Sequence, residues 1–348
     1  MRLEPVAAPG LARTLGLPAL AIAATVVVAS ALAMLAGANP FATLGLIVKG
    51  AAGSKFALLE TLNRATPLIF TGLAVAVAFR AKLWNIGAEA QLYAGALMTV
   101  LIGTQMGLPG PVAIPAMAGA AVLAGALVLL GPVLLKVRLG VDEVVTTLLF
   151  NFIMLLFISM LLEGPLKDPM GMGWPKSEAI PRDARLPRIV DGLRLHWGFG
   201  LALISAVVVW LIQVKTTLGY EIRAVGQNPQ AARFAGIPVG RVMVKTALLS
   251  GGLAALAGFS EVAGLKGNLT LDLSPGFGYT GIIVAMLALL HPLGVVVSAL
   301  FVAGIFVGAD SMSRAAEVPT YIADISVATA LLFMVLAILL TRFRVVRG

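Results

Sequence analysis

The sequence predicts an all-α, polytopic membrane protein that crosses the bilayer about ten times and forms a single transmembrane domain over residues 1–348. Charged residues make up only 12% of the chain, about half of their share in soluble domains. Apolar runs of about 20 residues recur along it, and this length crosses a bilayer as a helix. The runs are continuous rather than alternating, so an outer-membrane barrel is disfavoured.

Ten stretches have the length and composition of a membrane span. They lie at about 16–37, 62–79, 85–105, 111–135, 143–162, 198–214, 244–264, 276–290, 293–309 and 319–341. The eighth and ninth are separated only by His291 and Pro292, so one long kinked helix, and nine crossings, is the alternative.

The distribution of Lys and Arg favours ten crossings. With the N-terminus inside, basic residues concentrate in the segments that face the cytoplasm, including the C-terminal stretch from Arg342 to Arg347. Nine crossings would leave that stretch outside. The net charge of +9 is therefore interpreted as cytoplasmic Lys and Arg rather than as a nucleic-acid-binding surface.

The longest polar stretch, 163–197, lies outside in this orientation and is rich in proline. We expect it to be an ordered but irregular outer loop that contacts an external partner. A solvated connector is the alternative.

The third span opens with Leu83-Trp84-Asn85-Ile86-Gly87-Ala88-Glu89-Ala90-Gln91-Leu92-Tyr93. Asn85, Glu89 and Tyr93 are spaced i, i+4 and i+8, so they share one helix face. A carboxylate within a span is costly unless it is paired, hydrated or protonated. The face therefore either lines a polar path or pins its inner mouth, or Glu89 caps a backbone end or pairs with a neighbouring helix.

The fifth span carries a similar pair. Thr147 and Asn151 are four residues apart on one face, after the acidic helix start Asp142-Glu143. An Asn within a membrane either hydrogen-bonds another helix or faces a wet cavity, and the sequence leaves both open.

The segment 215–241 is polar, basic and helix-forming between two apolar stretches. It predicts a short helix, a break and a second helix, with Asn228 as N-cap, Pro229 at the first helical position and Gly236 as the stop. Its alanines would allow it to enter a cleft in another protein. The alternative is a basic amphipathic helix on anionic lipid.

The eighth span begins with Ser274-Pro275-Gly276-Phe277-Gly278-Tyr279. A Gly- and Pro-rich entry to a short helix is typical of a broken element that lines a cavity. Phe277 and Tyr279 could stack on a flat ligand ring, or belong to an interfacial aromatic belt.

Motifs for chemistry are missing from the sequence. It has no cysteine and only two histidines, which are far apart. It lacks a phosphate-binding loop ending in Gly-Lys-Ser/Thr, a His-Glu-x-x-His pair and a Gly-x-Ser-x-Gly elbow. We therefore expect no catalytic residue, no metal site and no cofactor bound by this chain, which is not predicted to be an enzyme.

Together these motifs, over about residues 60–340, resemble the permease subunits of bacterial ABC importers in the branched-chain amino acid, ribose and nucleoside permease superfamily. Within it, the Asn85-Ile86-Gly87 motif resembles the larger permease of nucleoside or simple-sugar importers that work with basic-membrane-protein-type lipoprotein receptors. The family usually has Gly where Ala90 stands, and this departure weakens a substrate assignment more than the family assignment.

The resemblance implies the ABC importer permease fold, uptake of nucleosides or related small polar solutes, and a bacterial inner-membrane location with both termini cytoplasmic. The implied partners are a second homologous permease, an external substrate-binding lipoprotein, and an ATPase that binds ATP and Mg. The segment that docks in the ATPase would include Glu221, Arg223, Ala224, Gly226, Asn228, Ala231, Ala232 and Gly236.

The translocation path is expected beside Asn85, Glu89 and Asn151, with Tyr93, Phe277 and Tyr279 as further candidates from the motifs above. Two alternatives remain. One is an importer of simple sugars or branched-chain amino acids. The other is an ion-coupled secondary transporter without an ATPase, which the scarcity of intramembrane acids disfavours.

Overall fold

The computed structural model describes residues 2–5, 11–35, 37, 39–316 and 320–346, and these are almost entirely helical. The α-helices are α1 (Leu11–Leu35), α2 (Pro40–Ala52), α3 (Lys55–Arg80), α4 (Ala88–Gln105), α5 (Gly110–Leu139), α6 (Glu143–Glu163), α7 (Gly198–Lys215), α8 (Thr217–Gln227), α9 (Pro229–Phe234), α10 (Val239–Ser260), α11 (Phe277–Leu287), α12 (Pro292–Ala316) and α13 (Thr320–Arg342). Two four-residue strands, β1 (Arg2–Pro5) and β2 (Phe343–Val346), form an antiparallel pair. The prediction of an all-α fold is confirmed.

The chain divides into two compact units. The first comprises residues 1–62 and 300–348. In it α1 packs along α13, and α2 packs against α1. The backbones of α2 and α12 also meet closely, since a Cβ atom at Gly308 would overlap the carbonyl oxygen of Ile47. Helix α2 was not predicted from the sequence.

The second unit comprises residues 63–299, and α4, α5 and α10 form its centre. Small residues bring these helices together. Gly125 of α5 and Gly251 of α10 each lie against the other's backbone, and Gly258 of α10 lies against the carbonyl group of Leu92 in α4. Membrane helices pack in this way because the lipid chains around them leave no hydrophobic drive for association, so close van der Waals contact stabilises the interface.

Six helices among the described residues are long and apolar enough to cross a membrane: α3, α5, α6, α7, α10 with its continuation to Lys266, and α12. The four other predicted spans coincide with α1, α4, α11 and α13. The count of ten crossings stays a prediction.

Helix α11 is shorter than a full span. Its 11 residues cover roughly 16 Å at 1.5 Å per residue, about half of the hydrocarbon thickness. It ends in a turn where Leu289 and Leu290 both have positive φ (53° and 60°), and α12 starts at Pro292. The chain therefore forms two helices here rather than one kinked helix, and the predicted broken element is confirmed.

The stretch between α6 and α7 is irregular but held in place. Ile180 N–H donates to the Gly267 carbonyl oxygen at 2.8 Å, and Leu186 N–H donates to the Ala263 carbonyl oxygen at 2.8 Å. Leu269 N–H donates to Ser177 Oγ at 2.8 Å. These bonds anchor the loop on the π-helical turn Glu261–Lys266 that extends α10 and on the residues just after it. The loop is therefore held in place and irregular, while its location outside the membrane and its contact with an external partner stay predictions.

Candidate functional site

The loop between α3 and α4 carries Asn85, which is fully buried. Its amide nitrogen donates to Gln91 Oε1 at 3.0 Å and to Ser250 Oγ at 3.1 Å. Its amide oxygen accepts from the Gly87 N–H at 3.0 Å and from Gln91 Nε2 at 2.9 Å. Ser250 in turn donates to the Ala74 carbonyl oxygen at 2.7 Å. One side chain thus connects α3, α4 and α10.

The polar face of α6 fixes the start of α4. Asn151 Oδ1 accepts from the Ala90 N–H at 2.9 Å, and Asn151 Nδ2 donates to the Ile86 carbonyl oxygen at 2.9 Å. Thr147 Oγ1 accepts from the Ile86 N–H at 3.2 Å. The first N–H groups of a helix have no partner within the helix, so these bonds satisfy donors that would otherwise be costly to bury.

The sequence left open whether Asn151 bonds another helix or faces a wet cavity. Its contacts match the first role, since Asn151 is fully buried. The neighbouring Glu143 accepts from the Trp84 N–H at 3.2 Å and forms an ion pair with Lys136. The start of α6 is therefore tied both to the loop before α4 and to the last turn of α5.

Glu89 caps the first turn of α11. Its Oε2 accepts from the Gly278 N–H at 2.6 Å, and its carboxylate is also hydrogen-bonded by Ser274. Ser274 Oγ accepts from the N–H groups of Gly276 at 3.2 Å and Phe277 at 2.9 Å. A negative charge is stabilised at a helix N-terminus, where N–H dipoles converge. The alternative that Glu89 caps a backbone end matches these contacts.

Tyr93, one turn further along α4, holds the segment just before α11. Its hydroxyl donates to the Leu271 carbonyl oxygen at 2.5 Å and accepts from the Ser274 N–H at 3.4 Å. Glu89 and Tyr93 therefore share one face of α4, and both bind other parts of the same unit. The prediction of a shared helix face was wrong for Asn85, because α4 begins only at Ala88 and Asn85 lies in the loop before it.

The six path candidates differ in exposure. Asn85, Glu89, Tyr93, Asn151 and Phe277 are buried, whereas Tyr279 is 38% exposed. Its hydroxyl accepts from Asn151 Nδ2 at 3.0 Å. The Phe277 ring lies under the Arg64 guanidinium, 5.1 Å from the ring centroid. Tyr279 is therefore the candidate that is both joined to the buried polar network and open at its ring.

The second site is the helix pair α8–α9. The buried face of α8 consists of Gly219, Ile222, Val225 and Gly226. A Cβ atom at Gly226 would overlap the carbonyl oxygen of Arg80, at the end of α3, and would lie 3.3 Å from Ala81 Cα. Arg223 donates to the Gln213 carbonyl oxygen in the last turn of α7. These contacts hold α8 against α3 and α7.

The predicted break between the two helices is confirmed. Asn228 Oδ1 accepts from the N–H groups of Gln230 at 3.0 Å and Ala231 at 3.1 Å, and Pro229 occupies the first helical position. Gly236 follows α9 with φ of 81°, in the left-handed region that glycine adopts without strain. Both ends of α9 are therefore set by local sequence.

The eight predicted coupling residues fall into three groups. Gly226 and Ala232 are buried against the chain itself, and Glu221, Arg223 and Ala224 are half-buried. The exposed members are Asn228, Ala231 and Gly236. Sequence reasoning missed two large exposed aromatic side chains of the segment, Phe234 at 96% and Tyr220 at 61%. An aromatic residue at the end of a polar helix was the available signal.

His196 lies outside the spans, just before α7, and is buried. Its Nδ1 accepts from the Gly198 N–H at 3.1 Å, so its proton is assigned to Nε2, which has no hydrogen-bond partner among the described residues. Burial lowers the pKa of His196 to about 4. The described residues contain no group of three or more His, Asp or Glu side chains that could hold a metal ion.

Comparison with known proteins identifies the family. The model of the branched-chain amino acid transport system / permease component family matches residues 57–342. The glucose ABC transporter permease protein TsgB13 of Haloferax volcanii is 34% identical over 340 residues, 95% of this chain and 89% of that protein. The guanosine ABC transporter permease protein NupP of Bacillus subtilis is 36% identical over 292 residues, 82% of each chain.

A second guanosine ABC transporter permease protein of Bacillus subtilis, NupQ, is 28% identical over 253 residues, 69% of this chain and 77% of that protein. The family match and the multiple apolar helices show a multi-pass membrane protein that serves as a transport subunit rather than an enzyme. The chain belongs to the branched-chain amino acid transport system / permease component family and is an ABC transporter permease.

Proposed function

We propose that this permease takes up nucleosides, or small polar solutes related to them, by ATP-driven import. The 36% identity to a guanosine permease supports this substrate class, as does the Asn85-Ile86-Gly87 motif. Glucose or another simple sugar is the second candidate, because the glucose permease matches more of this chain at nearly the same identity. Branched-chain amino acids, named in the family description, are the third.

Within the second unit, we assign the buried polar network a positioning role. Each of its four members, Asn85, Glu89, Tyr93 and Asn151, hydrogen-bonds to backbone groups. Asn85 also bonds to the side chains of Gln91 and Ser250, and Asn151 also bonds to that of Tyr279. Such a network, with its members satisfied, fixes the relative positions of the helices that carry it. Tyr279, which bonds to Asn151, is partly exposed, and we propose that it contacts the solute. Phe277 is buried against Arg64, so its contribution to the path is indirect.

The ATPase is proposed to dock on the exposed surface of α8–α9, and to bind the ATP and Mg that drive transport. The observation that carries this proposal is Phe234, a large apolar side chain left 96% exposed at the end of a polar helix. Ala231, also exposed, leaves room beside it for a partner. Exposed aromatic residues next to small ones are typical of a protein interface.

The packing of α8 supports the same role. On its inner face, Gly226 rests on backbone atoms of Arg80 and Ala81 at the end of α3, and Gly219 rests on the backbone of α7, rather than on flexible side chains. A force applied to the outer face of α8–α9 would therefore reach the end of α3 without being absorbed by rotamer changes.

The remaining partners follow from the importer class. Bacillus subtilis has two guanosine permeases that resemble this chain, and NupP is the more similar of the two. We propose that this chain likewise pairs with a smaller homologous permease, receives solute from an external binding lipoprotein, and lies in the inner membrane with both termini in the cytoplasm.

The substrate is tested by uptake of labelled guanosine, uridine, glucose and leucine in cells with and without this chain. Loss of nucleoside uptake alone supports the proposal. Loss of glucose uptake alone would assign the permease to sugars instead. Uptake that persists after inactivation of the ATPase partner would contradict ATP-driven import.

The docking surface is tested with Phe234→Ala, which we expect to lower co-purification of the ATPase at least tenfold, as truncation of a central aromatic interface residue commonly does. Trp174→Ala is the matched control, because Trp174 is also a large exposed side chain (67%) but lies in the loop between α6 and α7. Equal ATPase recovery with both variants would contradict docking through Phe234.

A further inference from the structure

A cleft lies between the last turn of α5 and the first turns of α10, at the end of both helices that the charge pattern predicts to be cytoplasmic. It is shallow and open, with a volume of about 470 Å³. Leu134, Val137 and Val244 form its apolar wall. Arg138, Arg241 and Lys245 line it through the apolar parts of their exposed side chains, so the cleft has an apolar wall with three positive charges around its rim.

Local sequence shapes this cleft. Helix α5 stops at Gly140, whose φ of 70° turns the chain away from the helix axis. Gly240 in the first turn of α10 allows close approach to α5, since a Cβ atom there would lie 3.0 Å from Val137 Cγ1. The two helix ends therefore touch at Gly240 and Val137, and the cleft lies beside this contact.

The three cations have no partner within the described part of the chain: neither an ion pair nor a hydrogen bond engages Arg138, Arg241 or Lys245. The acidic groups next to α5 in sequence are already engaged. Glu143 pairs with Lys136, and Asp142 Oδ1 accepts from the Val144 N–H at 2.8 Å. The positive charge of the cleft is thus left for a ligand from outside the chain.

The surface beyond the cleft is apolar. On α10, Leu248 lies one turn after Val244 on the same face and is 38% exposed. The general excess of Lys and Arg on the cytoplasmic side of membrane proteins explains why these three residues are positive. It does not explain why they surround a cleft whose apolar wall continues along a membrane helix.

We propose that this cleft binds an anionic phospholipid of the inner leaflet, with its phosphate among Arg138, Arg241 and Lys245 and an acyl chain along α10. Basic pockets between membrane helices at the cytoplasmic boundary suit phosphate headgroups, because the low-dielectric wall strengthens each charge contact. The proposal rests on the chain spanning a membrane and not on its solute or its ATPase.

The test uses the full chain in nanodiscs of phosphatidylcholine with a minor fraction of cardiolipin, extracted gently for native mass spectrometry. The variant R138Q/R241Q/K245Q is expected to retain about 100-fold less cardiolipin, since each cation near an anionic lipid contributes roughly fivefold. The matched control, K82Q/K215Q/R233Q, removes three exposed cations from other segments predicted to be cytoplasmic and is expected to retain cardiolipin as the unaltered chain does.

A third variant, Val244→Trp, fills the cleft without changing charge and should also lose cardiolipin. If it retains the lipid, or if both triple variants lose it equally, binding is diffuse electrostatic attraction and the proposal is overturned. If cardiolipin retention is unchanged in R138Q/R241Q/K245Q while ATPase co-purification falls, the cleft is a protein contact, which also overturns it.

Discussion

Gly226→Ala places one methyl group where the structure has no room for it. The added carbon would overlap the Arg80 carbonyl oxygen and lie 2.9 Å from its carbon. Both obstacles are backbone atoms, so no side-chain rotation relieves the overlap. To restore ordinary contact, α8 must separate from the end of α3 by about 1.5 Å, and overpacking of this kind costs about 1–3 kcal/mol.

We expect two consequences. The free energy of unfolding in detergent should fall by about 1–3 kcal/mol, and transport per ATP hydrolysed should drop in proteoliposomes, because α8 no longer rests on α3. Gly119→Ala is the matched control, since Gly119 lies within α5 with no atom within 4 Å of an added Cβ. It should be neutral or slightly stabilising.

The refuting result is specific to this contact. If Gly226→Ala unfolds and transports like the unaltered chain, the approach of α8 to α3 is not tight. If it lowers stability but leaves the ratio of transport to hydrolysis unchanged, α8 packs as described and does not couple the two activities.

Three further predictions follow from the contacts. Glu89→Gln keeps a hydrogen-bond acceptor for the Gly278 N–H and should lower the free energy of unfolding by at most about 1–2 kcal/mol. Glu89→Leu removes that acceptor and should lower it more in the same unfolding experiment. Equal losses of stability would contradict the capping role. Asn228→Ala should destabilise α9 by about 1 kcal/mol and speed amide hydrogen exchange in its first turn. Asn228→Asp keeps a capping oxygen and should do neither. Equal exchange rates in the two variants would contradict the N-cap role of Asn228. The free energy of unfolding should fall by up to about 3 kcal/mol as the pH drops from about 6.5 to about 4. The reason is that the unfolded state binds the His196 proton near pH 6.5, whereas the folded state binds it only near pH 4. If His196→Gln loses stability with acid in the same way as the unaltered chain, the reasoning is contradicted.

Local features were predictable because their causes are local. Asn228, Pro229 and Gly236 set the ends of α9 through bonds and backbone angles within a few residues, and the structure has them as predicted. The break before Pro292 was likewise predicted, with one long kinked helix as the alternative, although the two left-handed leucines that make it were not predicted.

The buried network was predictable only in part, for a physical reason. Helical periodicity places Glu89 and Tyr93 on one face of α4, but it does not reveal that Asn85 lies before the helix or which segment packs on that face. The Glu89 partner, Gly278, is 189 positions away, and the Ser250 partner of Asn85 is 165 positions away. The sequence shows which buried polar side chains need hydrogen-bond partners, but the tertiary fold determines which residues serve as those partners.

The helix pair α8–α9 and the buried network are joined by a short piece of chain. Gly226 rests on the backbone of Arg80 and Ala81, and Asn85 follows four residues later in the loop that leads into α4. That loop is held on its other side by Asn151 of α6. A displacement of α8 would therefore meet a closely packed backbone and then a loop whose polar groups already have partners. Because side-chain rotation cannot absorb the displacement at the backbone contact or in the loop, the loop should move together with the end of α3. Gly226→Ala tests the contact between α8 and α3, where this movement would begin.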